Sequence, residues 1–333
     1  MSKIKPSQGA PYARIMGVGG YRPTRVVPNE VILETIDSSD EWIRSRSGIA
    51  TRHWASPEET VAMMSIEASG KAIADSGITP QQIGGVIVST VSHFKQTPAV
   101  ATEIADKIGA NKPAAFDISA GCAGFGYGLT LAKGMVVEGS AEYVLVIGVE
   151  RLSDLTDLED RATAFLFGDG AGAVVVGPSD VPKIGPTVWG SEGDKSETIK
   201  QTVPWDDYRN GRPEKFPAIT QEGQAVFRWA VFEMAKVAQQ ALDAAGISAD
   251  DLDVFIPHQA NMRIIDSMVK TLKLPAHVTV ARDVETTGNT SAASIPLAME
   301  RLLATGAAKS GDTALVIGFG AGLVYAATVV TLP

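Results

Sequence analysis

The sequence predicts an α/β fold made of two related halves. Strand and helix patterns alternate, and residues 144–149 and 173–176 are continuous apolar runs, as expected of parallel strands buried on both faces beneath crossover helices. Two matches between distant segments predict a duplication. Gly77, Ile78 and Ile83 fall on Gly246, Ile247 and Leu252 at a spacing of 169, and residues 144–148 fall on residues 314–318 at a spacing of 170. If the halves are related in this way, the C-terminal ends of their strands meet near a pseudo-twofold axis, and loops from both build one site.

In chain order, residues 13–20 read as a first strand and Arg22-Pro23 opens a loop. Ser38 to Glu41 fits a capping box, serine at the N-cap and glutamate three residues on, starting a short helix that ends near Gly48. That helix puts Trp42 and Arg46 four residues apart on one face, where they either clamp a flat ring or pack as core and solvated charge. Val61, Met64, Ile66, Ala68, Ala72 and Ile73 predict a helix over residues 60–76 with Gly77 as its C-cap, followed by a strand over 86–91. In the second half, a helix over 226–245 ends at Gly246 and leads to a strand over 254–256.

Composition sets limits on function. A chain of 333 residues, 45% hydrophobic and 20% charged, has ample core for two domains or one large one. Its net charge of −9 argues against general binding to nucleic acid or anionic membranes. No apolar run follows the N-terminal lysines and nowhere do 18 apolar residues run together, so neither an export signal nor a membrane span is expected. With a single cysteine, the expected compartment is the reducing cytoplasm.

That cysteine, Cys122, lies in residues 116–128, crowded by small residues and followed by Leu129, Leu131, Ala132, Met135 and Val136 at helical spacing. A tight turn entering a buried helix would hold the thiol at a helix N-terminus, whose partial positive charge favours thiolate. A buried free cysteine acting as a small hydrophobe is the other reading. His53, His93 and His277 sit in polar or proline-flanked stretches. His258 instead opens a polar His-Gln-Ala-Asn run directly after an apolar strand, which is hard to satisfy as plain core. Residues 287–291 add a Gly-rich turn with Asn289.

Together, residues 116–128 with Cys122, His258-Gln259-Ala260-Asn261, residues 288–294 and residues 318–322 closely resemble β-ketoacyl-[acyl-carrier-protein] synthase III, and residues 37–52 and 167–172 resemble that family too. The resemblance runs almost end to end. It implies the thiolase fold, duplicated α-β-α-β-α layers with residues 1–180 carrying the nucleophilic cysteine and residues 181–333 the histidine and asparagine. It also implies a homodimer and the condensation that starts fatty-acid synthesis, an acyl-CoA joined to malonyl-carrier protein through an acyl-cysteine, with no metal or redox cofactor.

The same resemblance assigns roles. Cys122 attacks the thioester, and His258 and Asn289 hydrogen-bond the enolate left by decarboxylation. The backbone N–H groups of Cys122 and Ala321 form the oxyanion hole. Trp42 stacks on the coenzyme A adenine with Arg161 on its other side, Arg46 lies near the phosphates, and Asn261 contacts the pantetheine arm. Gln259, Arg263 and Lys270 meet the acidic carrier protein, the latter two being seven residues apart on one helix face. Thr97 stands where short-starter forms carry a phenylalanine that caps the partner's acyl pocket, so branched or longer starters are expected.

Related activities are disfavoured by residue type. Thiolases need a second cysteine, and elongating synthases carry a histidine where this chain has Asn289. Type III polyketide synthases share the Cys-His-Asn set and are the nearest rival, though usually longer, and another ketosynthase III-like acyltransferase of secondary metabolism stands beside them as an alternative. Papain-like hydrolases order Cys, His and Asn alike, but the tryptophan beside their cysteine and their disulfides are missing here. A non-catalytic scaffold is the remaining alternative, separable by whether carbon dioxide is released.

Overall fold

The computed structural model describes residues 4–211 and 215–333. Two five-stranded mixed sheets dominate it. The first runs, in spatial order, Tyr12–Tyr21, Asp169–Ser179, Tyr143–Arg151, Ile83–Ser89, Ala114–Ile118. The second runs Val188–Ser191, Val324–Thr331, Thr313–Gly320, Val254–Pro257, Thr279–Val280. Strand for strand the order is the same, which is the predicted duplication realised as topology. Both helix-to-strand passages even repeat their caps: Gly77 and Gly246 both adopt left-handed φ, and capping boxes Thr79/Gln82 and Ser248/Asp251 follow them.

Alternate residues of each central strand explain the layers. In Tyr143–Arg151, Leu145, Ile147 and Val149 pack against the helices Val61–Ser76 and Val100–Lys107, while Val144 and Val146 pack on Phe125, Leu129 and Ala132 of the helix Gly124–Glu138. In Thr313–Gly320, Leu315 and Ile317 face the helices Met234–Ala245 and Met262–Thr271, while Ala314 and Val316 face Ile295, Ala298 and Met299 of the helix Ser294–Ala304. The layers are therefore helices, sheet, helices, sheet, helices, with two of these helices in each helical layer. Each fully buried leucine or isoleucine stabilises this sandwich by roughly 1.5–3 kcal/mol relative to exposure.

Some expectations need correction. Asp169–Ser179 is antiparallel to both neighbours, because burial on both faces demands a continuous apolar run whatever the strand direction. The helix over 226–245 is two helices, Gly223–Phe232 and Met234–Ala245, meeting at Glu233. The strand expected at 86–91 is Ile83–Ser89, leaving Thr90, Val91 and Ser92 to turn beside a buried glutamate. The N-cap of the short helix Asp40–Ser47 is Ser39, whose hydroxyl accepts from the Trp42 N–H, so the capping box is not the one read from Ser38 and Glu41.

Insertions build the site's cover. The hairpin Arg25–Pro28 with Thr51–Trp54 and the helix Asp40–Ser47 share a small core with Leu152, Leu155, Phe165 and Phe167 from the connection after Tyr143–Arg151. Arg52, wholly buried, donates to the carbonyls of Val27 and Phe165 and to the Asn29 side chain, tying the hairpin to that connection. Among the described residues no helix is long and apolar enough to cross a membrane.

Candidate active site

Cys122 follows strand Ala114–Ile118, His258 follows Val254–Pro257, and Asn289 lies beyond Thr279–Val280, each past a strand's C-terminal end. One cavity takes all three as lining. Its remaining wall is largely apolar, with Val91, Leu152, Leu155, Phe167 and Phe319.

Cys122 sits in the turn Gly121–Ala123 at the start of Gly124–Glu138. The matching turn of the second half is Ser291–Ala293, and at the spacing of 170 Gly121 corresponds to Ser291; both have φ +47. A serine in that left-handed conformation is strained by about 1–3 kcal/mol where glycine is not. Gly320 backs directly onto the nucleophile: a Cβ there would meet Cys122 Sγ and Cβ at 2.8 Å. Gly320→Ala is expected to displace the sulfur and slow acylation by roughly 10²-fold, since an ångström of misplacement costs about that much. Single-turnover acylation measures it, and a wild-type rate in the variant would mean that the sulfur's position is not limiting.

The His258 ring is buried, edge-on to Phe319 with ring centres 5.4 Å apart, and its Nδ1 lies 2.7 Å from Ser294 Oγ. Among the described residues the Ser294 hydroxyl hydrogen has no other acceptor, so it goes to Nδ1 and the ring's proton resides on Nε2. Burial pushes the imidazole down to about 3, keeping it neutral. Asn289 is oriented in the same sense: its Oδ1 accepts the Ser291 N–H at 2.9 Å, which leaves the amide NH₂ as the end available to an occupant of the cavity. The backbone on both sides of Asn289 bonds to Leu166 and Gly168. Histidine and asparagine thus enter the cavity as two hydrogen-bond donors.

The helix N-terminus does not hold Cys122 as a thiolate. Burial pushes the thiol up to about 12, against a lowering hydrogen bond from Ser291, because desolvating a sulfur anion outweighs the fractional charge of a helix end. The resting pair is neutral thiol and neutral imidazole.

A second cavity reaches the surface between Trp42, Arg46, Phe227, Asn261 and Arg263, and shares Gln221, Val226, Ala260, Ile264 and Asn289 with the first, so one passage leads inward to Cys122. At its mouth the Arg161 guanidinium lies 4.9 Å from the Trp42 ring centre and that of Arg46 5.9 Å away. Arg263 stacks on Phe227 at 4.8 Å, and Lys270 is exposed further along the same helix. Ala321 lines the inner cavity beside Gly121.

Two expected positions differ. Gln259 is buried, its amide donating to the carbonyls of Pro257 and Ala281 and accepting the Val284 N–H, so it cannot meet a docking protein. Asn261 caps the helix Met262–Thr271 through its Oδ1 and ties the Trp42 helix through its Nδ2 to the Arg46 carbonyl, which commits both ends of the amide to the fold. Thr97 is exposed and lines neither cavity of its own chain, which leaves its expected place at a partner's pocket untouched. Ser294, Ser291 and Glu150 belong to the site but were missed as roles; a lone acid ending the apolar run of residues 144–149 was the readable signal for Glu150.

The 3-oxoacyl-[acyl-carrier-protein] synthase III family model matches residues 116–193, and the model of that family's C-terminal part matches residues 242–332. A β-ketoacyl-[acyl-carrier-protein] synthase III of Streptomyces glaucescens is 89% identical over 333 residues, the whole of both chains. The chain belongs to the β-ketoacyl-[acyl-carrier-protein] synthase III family. It is an acyltransferase of the condensing type, and the family's thiolase fold accounts for the doubled layers. The priming β-ketosynthase of the R1128 polyketide pathway superposes on this synthase III with a TM-score of 0.97 at 46% identity, covering 100% of this chain and 99% of that one. The 3-oxoacyl-[acyl-carrier-protein] synthase III of Aquifex aeolicus gives 0.88 at 36% identity, covering 96% and 99%. Membership in synthase III decides against the type III polyketide synthase alternative.

Proposed function

We propose that this synthase III starts type II fatty-acid synthesis by decarboxylative condensation of an acyl-CoA with malonyl-acyl-carrier protein, giving 3-oxoacyl-carrier protein, carbon dioxide and coenzyme A. The observation that carries the mechanism is the cavity joining one thiol to two oriented donors. Cys122 attacks the acyl thioester, dividing one hard step into two. The backbone N–H groups of Cys122 and Ala321 receive the tetrahedral oxyanion. His258 Nε2–H and the Asn289 amide then hydrogen-bond the enolate oxygen as carbon dioxide leaves, and neutral donors suit this because their N–H protons are too weakly acidic to be transferred to the enolate. No metal or redox cofactor is required by these steps. Mixing the protein with acyl-CoA and malonyl-carrier protein tests the whole: 3-oxoacyl-carrier protein and carbon dioxide are expected in equal amounts, and neither appearing overturns the reading.

Coenzyme A enters at the Trp42 mouth, its adenine between the Trp42 ring and the Arg161 guanidinium, with Arg46 toward the phosphates. The carrier protein docks on the face bearing Arg263 and Lys270. Arg263→Glu is expected to raise KM for malonyl-carrier protein by about tenfold or more with far less change for acyl-CoA, since it reverses a charge facing an acidic partner; equal losses with both substrates remove the docking role.

The working unit is a homodimer in the cytoplasm. Strand Ala114–Ile118 is the edge of its sheet and is partly exposed, so its free backbone groups are available to a second copy. Thr97 then reaches the partner's acyl pocket, and its small side chain admits branched or longer starters than acetyl. Each CH₂ buried there is worth roughly 0.8 kcal/mol, so Thr97→Phe is expected to shift preference toward acetyl-CoA by about tenfold in competition with isobutyryl-CoA. An unchanged preference means that Thr97 does not set pocket depth.

A further inference from the structure

The condensation proposed above does not balance without a proton. In acylation Cys122 gives up a proton and coenzyme A takes one on leaving, so that step is neutral. In condensation the malonyl carboxylate departs as carbon dioxide, the new carbon–carbon bond forms at the acyl carbon, and the bond to Cys122 breaks with its electron pair on sulfur. One proton from solvent must then restore the thiol, inside a site whose histidine stays neutral.

We propose that Ser291, Glu150 and Ser92 form a relay that returns this proton to Cys122 from a surface pocket separate from the substrate passage. Glu150 is completely buried at the end of strand Tyr143–Arg151, and among the described residues it has no salt-bridge partner. Its Oε2 accepts Ser92 Oγ–H at 2.6 Å, the Val91 N–H at 3.1 Å and Thr90 Oγ1–H at 3.2 Å. On its inner side Ser291 lines the cavity of Cys122, and hydrogen bonding from its hydroxyl lowers both the Cys122 thiol and the Glu150 carboxyl against their burial. Ser291 is the residue held at φ +47 where the first half uses glycine, so a strained conformation is kept at the one position of this turn that carries a hydroxyl. On the outer side, Ser92 lines a surface pocket with Thr60, His93, Glu103, Arg151 and Asp154, none of which borders the cavity of Cys122. Thiol, hydroxyl, carboxyl, hydroxyl and pocket thus stand in sequence.

The carboxyl suits the task. Burial pushes it up to about 7, against hydrogen bonds from Ser92, Val91, Thr90 and Ser291, so near neutral pH it can both give and regain a proton. Around it stand Cys122 inside and His93, Glu103, Arg151 and Asp154 at the pocket, with Arg151 Nε engaged by Asp154 at 3.0 Å. When ionised, Glu150 opposes ionisation of Cys122. Glu150 acts through Ser291 and touches no substrate, which makes it a positioning residue.

The test uses the intact protein and two readouts. Iodoacetamide alkylation of Cys122 in the resting enzyme needs no substrate: Glu150→Gln removes the opposing charge, and alkylation at pH 8 is expected to rise about tenfold, one pH unit of thiol shift. In turnover, kcat of the wild type should decline as pH rises through about 7 and the donor loses its proton, while Glu150→Gln should lose that limb and run about tenfold or more slower with KM for acyl-CoA unchanged. Ser92→Ala, which interrupts the outer end, should slow kcat likewise, and it carries the turnover test if Glu150→Gln does not fold. Wild-type alkylation in Glu150→Gln, or wild-type kcat and pH profile in either variant, overturns the relay. A wild type that forms no 3-oxoacyl product overturns the proposed function instead, and the alkylation profile still decides whether Glu150 is coupled to Cys122.

Discussion

Cys122→Ala is expected to form no acyl-enzyme and to lose condensation by on the order of 10⁴-fold or more, the scale seen when a covalent nucleophile is removed from an otherwise intact site. Alanine fits the space, since the sulfur faces the cavity and Gly320 rather than filling a hole in the core. Mass spectrometry after mixing wild type with acyl-CoA should find one acyl group, on the peptide containing Cys122, and none on the variant. An adduct elsewhere, or an acylated variant, removes the mechanism. As the chain's one cysteine, Cys122 also makes the readout unambiguous.

His258→Ala and Asn289→Ala should each slow malonyl decarboxylation by roughly 10²–10³-fold, the usual loss when one preorganised oxyanion donor is deleted. Acylation of Cys122 should suffer less, because both donors serve the enolate. The orienting bonds sharpen the expectation. Ser294 Oγ sets the imidazole's tautomer and the Ser291 N–H sets the amide's direction, so each donor is held toward the cavity before substrate arrives. Decarboxylation at the wild-type rate in either variant, measured as carbon dioxide from malonyl-carrier protein, means that its role is wrongly assigned.

Much of this molecule is legible in its sequence because the signals are local. Alternation of strand and helix, glycines at helix ends such as Gly77 and Gly246, and the repeated apolar runs near 144 and 314 reflect backbone and burial requirements that each segment meets by itself. The doubled topology follows, as does the convergence of Cys122, His258 and Asn289 past strand ends. The family resemblance, carried by short blocks around those residues, supplied the chemistry.

What sequence could not determine depends on long-range neighbours. Gln259 reads as a polar loop residue, yet the backbone of Ala281 and Val284, 22 and 25 residues further on, joins that of its neighbour Pro257 in making it core. The direction of Asp169–Ser179 depends on its two neighbours, not on its own residues. Charge state is the clearest case. A helix N-terminus beside Cys122 can be read from a few residues and favours thiolate, but the desolvation that holds it as thiol, keeps His258 neutral and leaves Glu150 poised near neutrality comes from the two packed halves together. Local sequence sets which groups are present and roughly where; only the closed interior sets how much water each retains, and with it which of them carry protons.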